Sequence, residues 1–217
     1  MKKLNVNTKG NKKLINNNLV RFMIWNLPSI ITCPYATENC KKLCYAKKAE
    51  TVYPSVKPSR QSNFEASRQS DFVANMIYTI ETLGHGKGYK GKKIVFRIHE
   101  SGDFYNKAYT KAWLEIAEHF VNSDLDIVFM AYTKSFVYFE GETIPNNMVV
   151  RGSVWDDTTT AQLEMIAKLN LPIYTAFKAV EMAEALANGY TKCDCKDCAN
   201  CGKCWDRSIE KLACEIH

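Results

Sequence analysis

Apolar positions follow two rhythms along this chain. Residues 20–26 (VRFMIWN), 93–99 (KIVFRIH), 126–132 (DIVFMAY), 147–154 (NMVVRGSV) and 172–177 (PIYTAF) are short, nearly continuous apolar runs. They predict five strands. The runs do not alternate between apolar and polar positions, so both faces of the sheet are expected to be covered. Between them, Phe64, Phe72, Val73, Met76, Ile77 and Ile80 recur at helical spacing and predict a helix over 59–83. Tyr109, Trp113, Ile116, Ala117 and Phe120 do the same over 106–121, and further helices are expected over 159–169 and 180–188. Residues 84–93 read as a Gly/Lys loop. Residues 1–19, rich in Asn and Lys with a turn at Gly10-Asn11, read as an exposed arm or hairpin.

Strand and helix alternate, which implies an α/β fold with a parallel sheet and right-handed crossovers. Five strands suit a small partial (β/α) barrel better than a closed eight-fold barrel, which needs about 250 residues. The expected organisation is an arm (1–19), a partial barrel (20–190) with a loop at 33–44, and a cysteine-rich tail (191–217). At 217 residues, 46% hydrophobic and 24% charged, the chain has the composition of a globular protein.

Charge and cysteine are both unevenly placed. Residues 1–60 hold 12 Lys/Arg and 2 Asp/Glu, a balance of +10; residues 61–217 hold 17 and 21, a balance of −4. Three of the nine cysteines are Cys33, Cys40 and Cys44; the other six are Cys193, Cys195, Cys198, Cys201, Cys204 and Cys214. The start, Met1-Lys2-Lys3-Leu4-Asn5, is not an apolar leader, and no run reaches the roughly 18 apolar residues of a membrane span. A cytoplasmic protein without membrane contact is expected. In that reducing compartment, clustered cysteines point to metal or redox chemistry rather than disulfides.

In parallel α/β folds the site lies at the C-terminal ends of the strands. His99, Glu100, Ser101, Gly102 and Asp103 follow the second strand; Thr133, Lys134 and Ser135 follow the third; Arg151, Ser153, Trp155 and Asp156 accompany the fourth; Thr175 and Lys178 end the fifth. Glu100, Asp103, Lys134, Arg151 and Trp155 are the candidates for lining a pocket. Helix or turn capping is the competing reading for Asp103 and Asp156. Glu100 and Arg151 are harder to assign to capping, as charges beside or within apolar strands. His99 is a site candidate or a satisfied core histidine.

The loop after the first strand carries C-x6-C-x3-C at Cys33, Cys40 and Cys44. Three soft thiolates in one short loop suit a [4Fe–4S] cluster bound through three irons; zinc, which favours close C-x2-C pairs, is the rival. Asn26-Leu27-Pro28, Thr32-Cys33-Pro34, Ala36-Thr37, Cys40 and Cys44-Tyr45-Ala46 together resemble the phage gene-product-88 family. So do 97–104 (RIHESGDF), 131–135 (AYTKS) and the terminal Cys198, Cys201, Cys204 and Trp205. The resemblance spans about residues 20–207. It implies a small phage protein, located in the host cytoplasm, of a family with largely unassigned activity. The layout is more distantly similar to radical SAM enzymes, which place three cysteines in the loop after the first strand of a partial barrel and leave one iron open for S-adenosylmethionine. Their spacing is typically C-x3-C-x2-C, and Glu100-Ser101-Gly102-Asp103 stands where they carry a glycine-rich motif. By that analogy Glu100 or Asp103 would bind an amino group.

In the tail, Cys195, Cys198, Cys201 and Cys204 are separated by two residues each, close to a ferredoxin-type run. With Cys193 they are candidate ligands for a second iron–sulfur cluster or for zinc. Either the tail binds its own metal centre, or one tail cysteine caps the first cluster. Cys214 reads as a small buried residue. Gly86–Lys93 nearly matches a phosphate-binding loop but ends in Lys93 instead of Ser/Thr, between helix and strand in the wrong order. The basic first quarter interleaves Lys47, Lys48, Lys57, Arg60 and Arg68 with Tyr45, Tyr53 and Phe64, a pattern suited to nucleic acid or to a small anion. The expected function is redox or radical chemistry on a small anionic or nucleotide-like substrate, with Lewis-acid hydration or isomerisation as a variant. The alternative is a metal-stabilised protein that binds a host protein or nucleic acid.

Overall fold

The computed structural model describes residues 1–177, 181–194 and 196–215. Lys178 and Cys195 lie outside the described residues. Seven strands form one fully parallel sheet: β1 (Val20–Trp25), β2 (Lys93–Ile98), β3 (Ile127–Thr133), β4 (Met148–Val154), β5 (Ile173–Phe177), β6 (Thr191–Lys192) and β7 (Lys211–Glu215). The spatial order is β1-β2-β3-β4-β5-β7-β6, and the sheet curls into an open half-barrel. The five strands expected from the apolar runs are all present. The two further strands come from the tail, which is thus part of the sheet itself.

The helix expected over 59–83 is two helices, α3 (Val56–Ser67) and α4 (Phe72–Gly84), parted at Gln69-Ser70-Asp71. The helical spacing of Phe64 and Phe72 continues through the break, because both residues reach the same core. Two short helices, α1 (Glu38–Lys42) and α2 (Tyr45–Val52), occupy the cysteine loop. The remaining helices are α5 (Lys107–His119), α6 (Thr160–Lys168), α7 (Met182–Ala187) and α8 (Cys198–Cys201). Thr159 and Gln162 form a reciprocal capping box at the start of α6, which fixes that boundary.

Alternate strand residues separate two cores. Met23, Trp25, Phe96, Ile98, Phe129 and Val150 face outward and pack with Phe72, Met76, Trp113 and Ile166 from α4, α5 and α6. Val20, Phe22, Ile24, Val95 and Met130 face inward and meet Leu14 of the arm and Cys198, Cys204 and Trp205 of the tail. The helices therefore cover one face, and the two chain ends cover the other. The arm is tied down by an antiparallel bridge between Asn7 and Ile24 and by the Cys198 N–H, which donates to the Lys13 carbonyl at 3.0 Å.

Arg151, fully buried on the inner side of β4, holds the tail in place. Its guanidinium donates to four tail carbonyls: Cys204 (2.9 Å), Ile209 (2.7 Å), Lys203 (3.2 Å) and Asp206 (2.7 Å). This candidate pocket residue is engaged with backbone over four of its five N–H groups.

Arg151→Ala should leave those carbonyls buried without donors and destabilise the fold by about 3–5 kcal/mol. Thermal unfolding and limited proteolysis check this: the melting temperature should fall, and cleavage should begin between residues 193 and 211. Arg151→Lys should recover only part of the loss, since an ammonium cannot fork across four acceptors. An unchanged melting temperature and an intact tail in Arg151→Ala would contradict the clamp.

Candidate functional site

Three sequence blocks interlock at the C-terminal rim of the sheet. Asn26, just past β1, accepts with its side-chain oxygen from the N–H groups of Glu100 (2.8 Å) and Ser101 (3.0 Å). The Ser101 hydroxyl donates to the Leu27 carbonyl at 2.9 Å, and the Asp103 N–H donates to the Thr32 carbonyl at 3.2 Å. Gly102 makes this approach feasible. Its φ is +85°, and a Cβ there would lie 2.6 Å from Thr32 Oγ1 and 2.7 Å from Leu27 Cβ. Asp103 then joins β2 to β3. Its carboxylate accepts from the Thr133 hydroxyl (2.6 Å), the Lys134 N–H (2.9 Å) and the Phe104 N–H (2.7 Å).

This scaffold carries the first cysteine loop. Thr37 caps α1 by accepting from the Cys40 N–H at 3.3 Å. The Asn39 N–H donates to Asp157 (2.9 Å) and its side chain to Asp156 (2.8 Å), which fastens α1 to the loop after β4. On the other side Glu50 of α2 accepts from the Ser29 N–H and hydroxyl, both at 2.8 Å, and pairs with the buried Arg60 at 2.8 Å. Ile30 has φ +64°, an unusual conformation for a β-branched residue. In that conformation its backbone N–H is directed at the Cys33 sulfur. Backbone strain of this kind, on the order of 1–3 kcal/mol, concentrates at functional sites.

Cys33, Cys40 and Cys44 are brought within electrostatic reach of one another and of Asp103. Burial, then the nearby Asp103 carboxylate, pushes the Cys33 thiol up to about 12. Burial raises Cys40 as well, opposed by the Lys134 ammonium. Lys134 is itself buried, which lowers its pKa; its Nζ donates to the Ser153 carbonyl at 2.9 Å and lies 5.6 Å from the Trp155 ring centroid. Asp103 and Lys134 therefore stand near the loop thiols, and Trp155 lies beside Lys134. Glu100 turns toward the arm and accepts from the Asn11 side chain, while its carbonyl accepts from the Tyr45 hydroxyl at 2.6 Å.

The tail thiols form a second group on the inner face. Contact with the Cys193 thiol, then burial, holds Cys204 well above the ordinary thiol range, and Tyr132 also bonds it. Burial, then Cys204 and Cys201, pushes Cys198 up to about 12. These sulfurs rest on a polar layer that sequence reasoning missed. The Arg97 guanidinium sits 4.0 Å from the Tyr132 ring centroid, and Tyr132 stacks on Tyr174 at 4.2 Å. The signal was present in the sequence: Arg97, Tyr132 and Arg151 are polar breaks in apolar strands, and all three face inward. Cys214 is buried, with its sulfur 2.7 Å from the Tyr174 hydroxyl. Among the described residues, no three His, Cys, Asp or Glu side chains converge closely enough to hold a single metal ion. Of the proposed nucleic-acid contacts, Arg60 is buried and Phe64 packs edge-on against Tyr105. No helix among the described residues is long and apolar enough to cross a membrane.

His99 lies at the end of β2 with φ +63°. Its Nε2 shares a 2.9 Å hydrogen bond with the Tyr109 hydroxyl, and its Nδ1 has no partner among the described residues. Burial, then the neighbouring Arg97 charge, depresses its pKa to about 3. The unfolded chain, with a histidine pKa near 6.5, therefore binds more protons between about pH 3 and 6.5. Stability rises with pH across that window and is lost as pH falls through it, by a few kcal/mol in total. His99→Gln should flatten this dependence in denaturant titrations between pH 4 and 7; equal slopes for both proteins would show that His99 is not the group responsible.

A family model described as "Gene product 88" matches residues 2–207. The "Gene 88 protein" of Mycobacterium phage D29 is 28% identical over 194 residues, covering 80% of this chain and 78% of the relative. The protein of the same name from Mycobacterium phage L5 is 31% identical over 121 residues, 53% of this chain and 49% of the relative. No solved structure matches the chain. With nearly its whole length matched, from the arm through Cys204 and Trp205, this chain belongs to the gene product 88 family of phage proteins.

Proposed function

We propose that this is an iron–sulfur protein whose chemistry is centred on Cys33, Cys40 and Cys44. The observation that carries this reading is the gathering of these three thiols, with Asp103 and Lys134, at the C-terminal rim of the half-barrel. The donor set fits the group. A tetrahedral zinc needs four donors about 2.3 Å from one point, whereas a [4Fe–4S] cluster takes one thiolate per iron and so accepts a wider spread. Burial and nearby negative charge disfavour bare thiolates at Cys33 and Cys40, and a cationic centre would reverse that balance.

The cluster would be held by Cys33, Cys40 and Cys44, leaving one iron without a ligand from this loop. Bound there, it would supply redox or radical chemistry, with S-adenosylmethionine as the radical-SAM-like case, or Lewis-acid activation of a small anionic or nucleotide-like substrate. The chain's own residues have separable tasks. Ile30 directs an N–H at Cys33, a contact of the kind that tunes cluster potential. Lys134 carries positive charge to Cys40. Asp103 fixes the loop, β2 and β3 relative to one another.

Cys193, Cys198, Cys201 and Cys204, with Cys195 beside them in sequence, would hold a second iron–sulfur cluster or a zinc. Cys198 and Cys204 pack against Phe22, Val95 and Met130, and Cys193 and Cys201 pack with Leu212 and Cys214, which favours a structural role. That burial also supports the second reading: a metal-stabilised protein, acting in the host cytoplasm, that presents a binding surface to a host protein or nucleic acid.

Anaerobic reconstitution tests the assignment. The purified protein should be brown, with about four irons and four sulfides per cluster, and Cys33→Ala should lose one cluster's worth. A change in the EPR signal on adding S-adenosylmethionine would report an open iron. A colourless zinc protein, or unchanged iron in Cys33→Ala, would refute the assignment.

A further inference from the structure

The cleft beside Cys44 has a lining that no structural requirement explains. It is an open surface cleft of about 610 Å³ lined by Lys41, Lys42, Lys47 and Lys48 together with Ile30, Cys44 and Thr51. No carboxylate lines it. Lys41 pairs with Glu38 at 2.8 Å. Lys42, Lys47 and Lys48 form no close ion pair among the described residues, and Lys42 shares Glu38's field with Lys41.

The placement of these charges is informative. Lys41 and Lys42 sit in the last turn of α1, where cations offset the negative end of the helix dipole. Lys47 and Lys48 sit in the first turn of α2, where cations are unfavourable. The start of α2 has no acidic residue in its first turn, and its N-cap, Cys44, makes no capping hydrogen bond. Two like charges are thus held against the positive end of an uncapped helix, facing two more. An anion in the cleft would relieve all of these costs together.

We propose that this cleft binds a small molecule carrying a chain of two or more phosphates. A single carboxylate would satisfy one ammonium, whereas lysines on two helices call for charge spread over several oxygens. Lysines act as point charges, which suits a flexible phosphate chain better than a planar carboxylate. The volume lies within the usual range for a small-molecule site, about 300–1,000 Å³. No aromatic ring lines the cleft to stack bases of a nucleic-acid strand. The inference names the anion that would meet the first thiol group, and it rests on the iron–sulfur reading only for what happens at Cys44.

The test is calorimetric titration, at low and moderate salt, of tripolyphosphate, ATP, orthophosphate and a 15-nucleotide oligothymidylate into the anaerobically reconstituted protein. Tripolyphosphate and ATP should bind more tightly than orthophosphate, and binding should weaken with salt. Lys47→Gln/Lys48→Gln should weaken tripolyphosphate by about tenfold or more with unchanged iron content, and Lys42→Gln should weaken it to a lesser degree. Retained tripolyphosphate binding in Cys33→Ala, after loss of its iron, supports the cleft independently of the cluster. Iron loading without tripolyphosphate binding overturns the cleft and leaves the cluster standing. Equal affinity of wild type and the double variant, or binding of the oligonucleotide alone, also overturns it.

Discussion

Arg151 and its four tail carbonyls are the contact on which the inner half of this molecule depends. A curled sheet of apolar strands has two faces to cover, and the helices of crossover connections lie on one. A closed barrel would fill its interior with side chains from all around. A half-barrel has no opposite wall, so something else must pack on Phe22, Ile24, Val95 and Met130. Here it is the cysteine-rich segment after β6, which brings apolar contact from Cys198, Cys204 and Trp205 but also a loop of backbone carbonyls. Such carbonyls are costly to bury without donors. A forked cation on the neighbouring strand satisfies several of them at once.

The same constraint gives the two cysteine groups different surroundings. The tail group lies within the structure, against Arg97 and Tyr132, and its neighbours are other thiols, rings and the sheet. The loop group stands at the rim among Asp103, Lys134 and the lysine cleft. One is enclosed by the fold, the other stands at its rim. Asp103 stands beside the loop group with its oxygens engaged by Thr133, Lys134 and Phe104.

Much of this was legible in the sequence, for physical reasons that also mark where legibility ended. β1 to β5 are apolar on both faces because both faces are covered, and such runs stand out. Asp103 and Lys134 stand out as candidates because they follow parallel strands, at whose C-terminal ends sites of this fold class lie. The split between α3 and α4 was hidden, since Phe64 and Phe72 contact one core and keep helical spacing across the turn. β6 has two residues and β7 five, too short to show a period beside so many cysteines. Arg151 was recognisable as an anomaly within an apolar strand. Its partners were not, because they are backbone carbonyls more than fifty positions away. Arg60 shows the reverse case: in sequence it belongs to a basic patch, yet an ion pair to Glu50 takes it inside.

The position of β7 has a consequence for how the molecule comes into being. β6 precedes β7 in the chain but lies outside it, pairing only with β7, while β7 pairs with β5. During synthesis β1 to β5 can assemble in order as each emerges. β6 must wait, and so must the inner face, until residues 211–215 have left the ribosome and slotted in beside β5. Up to that moment Phe22, Val95 and Met130 have only Leu14 of the arm to cover them, and the inner core is completed last.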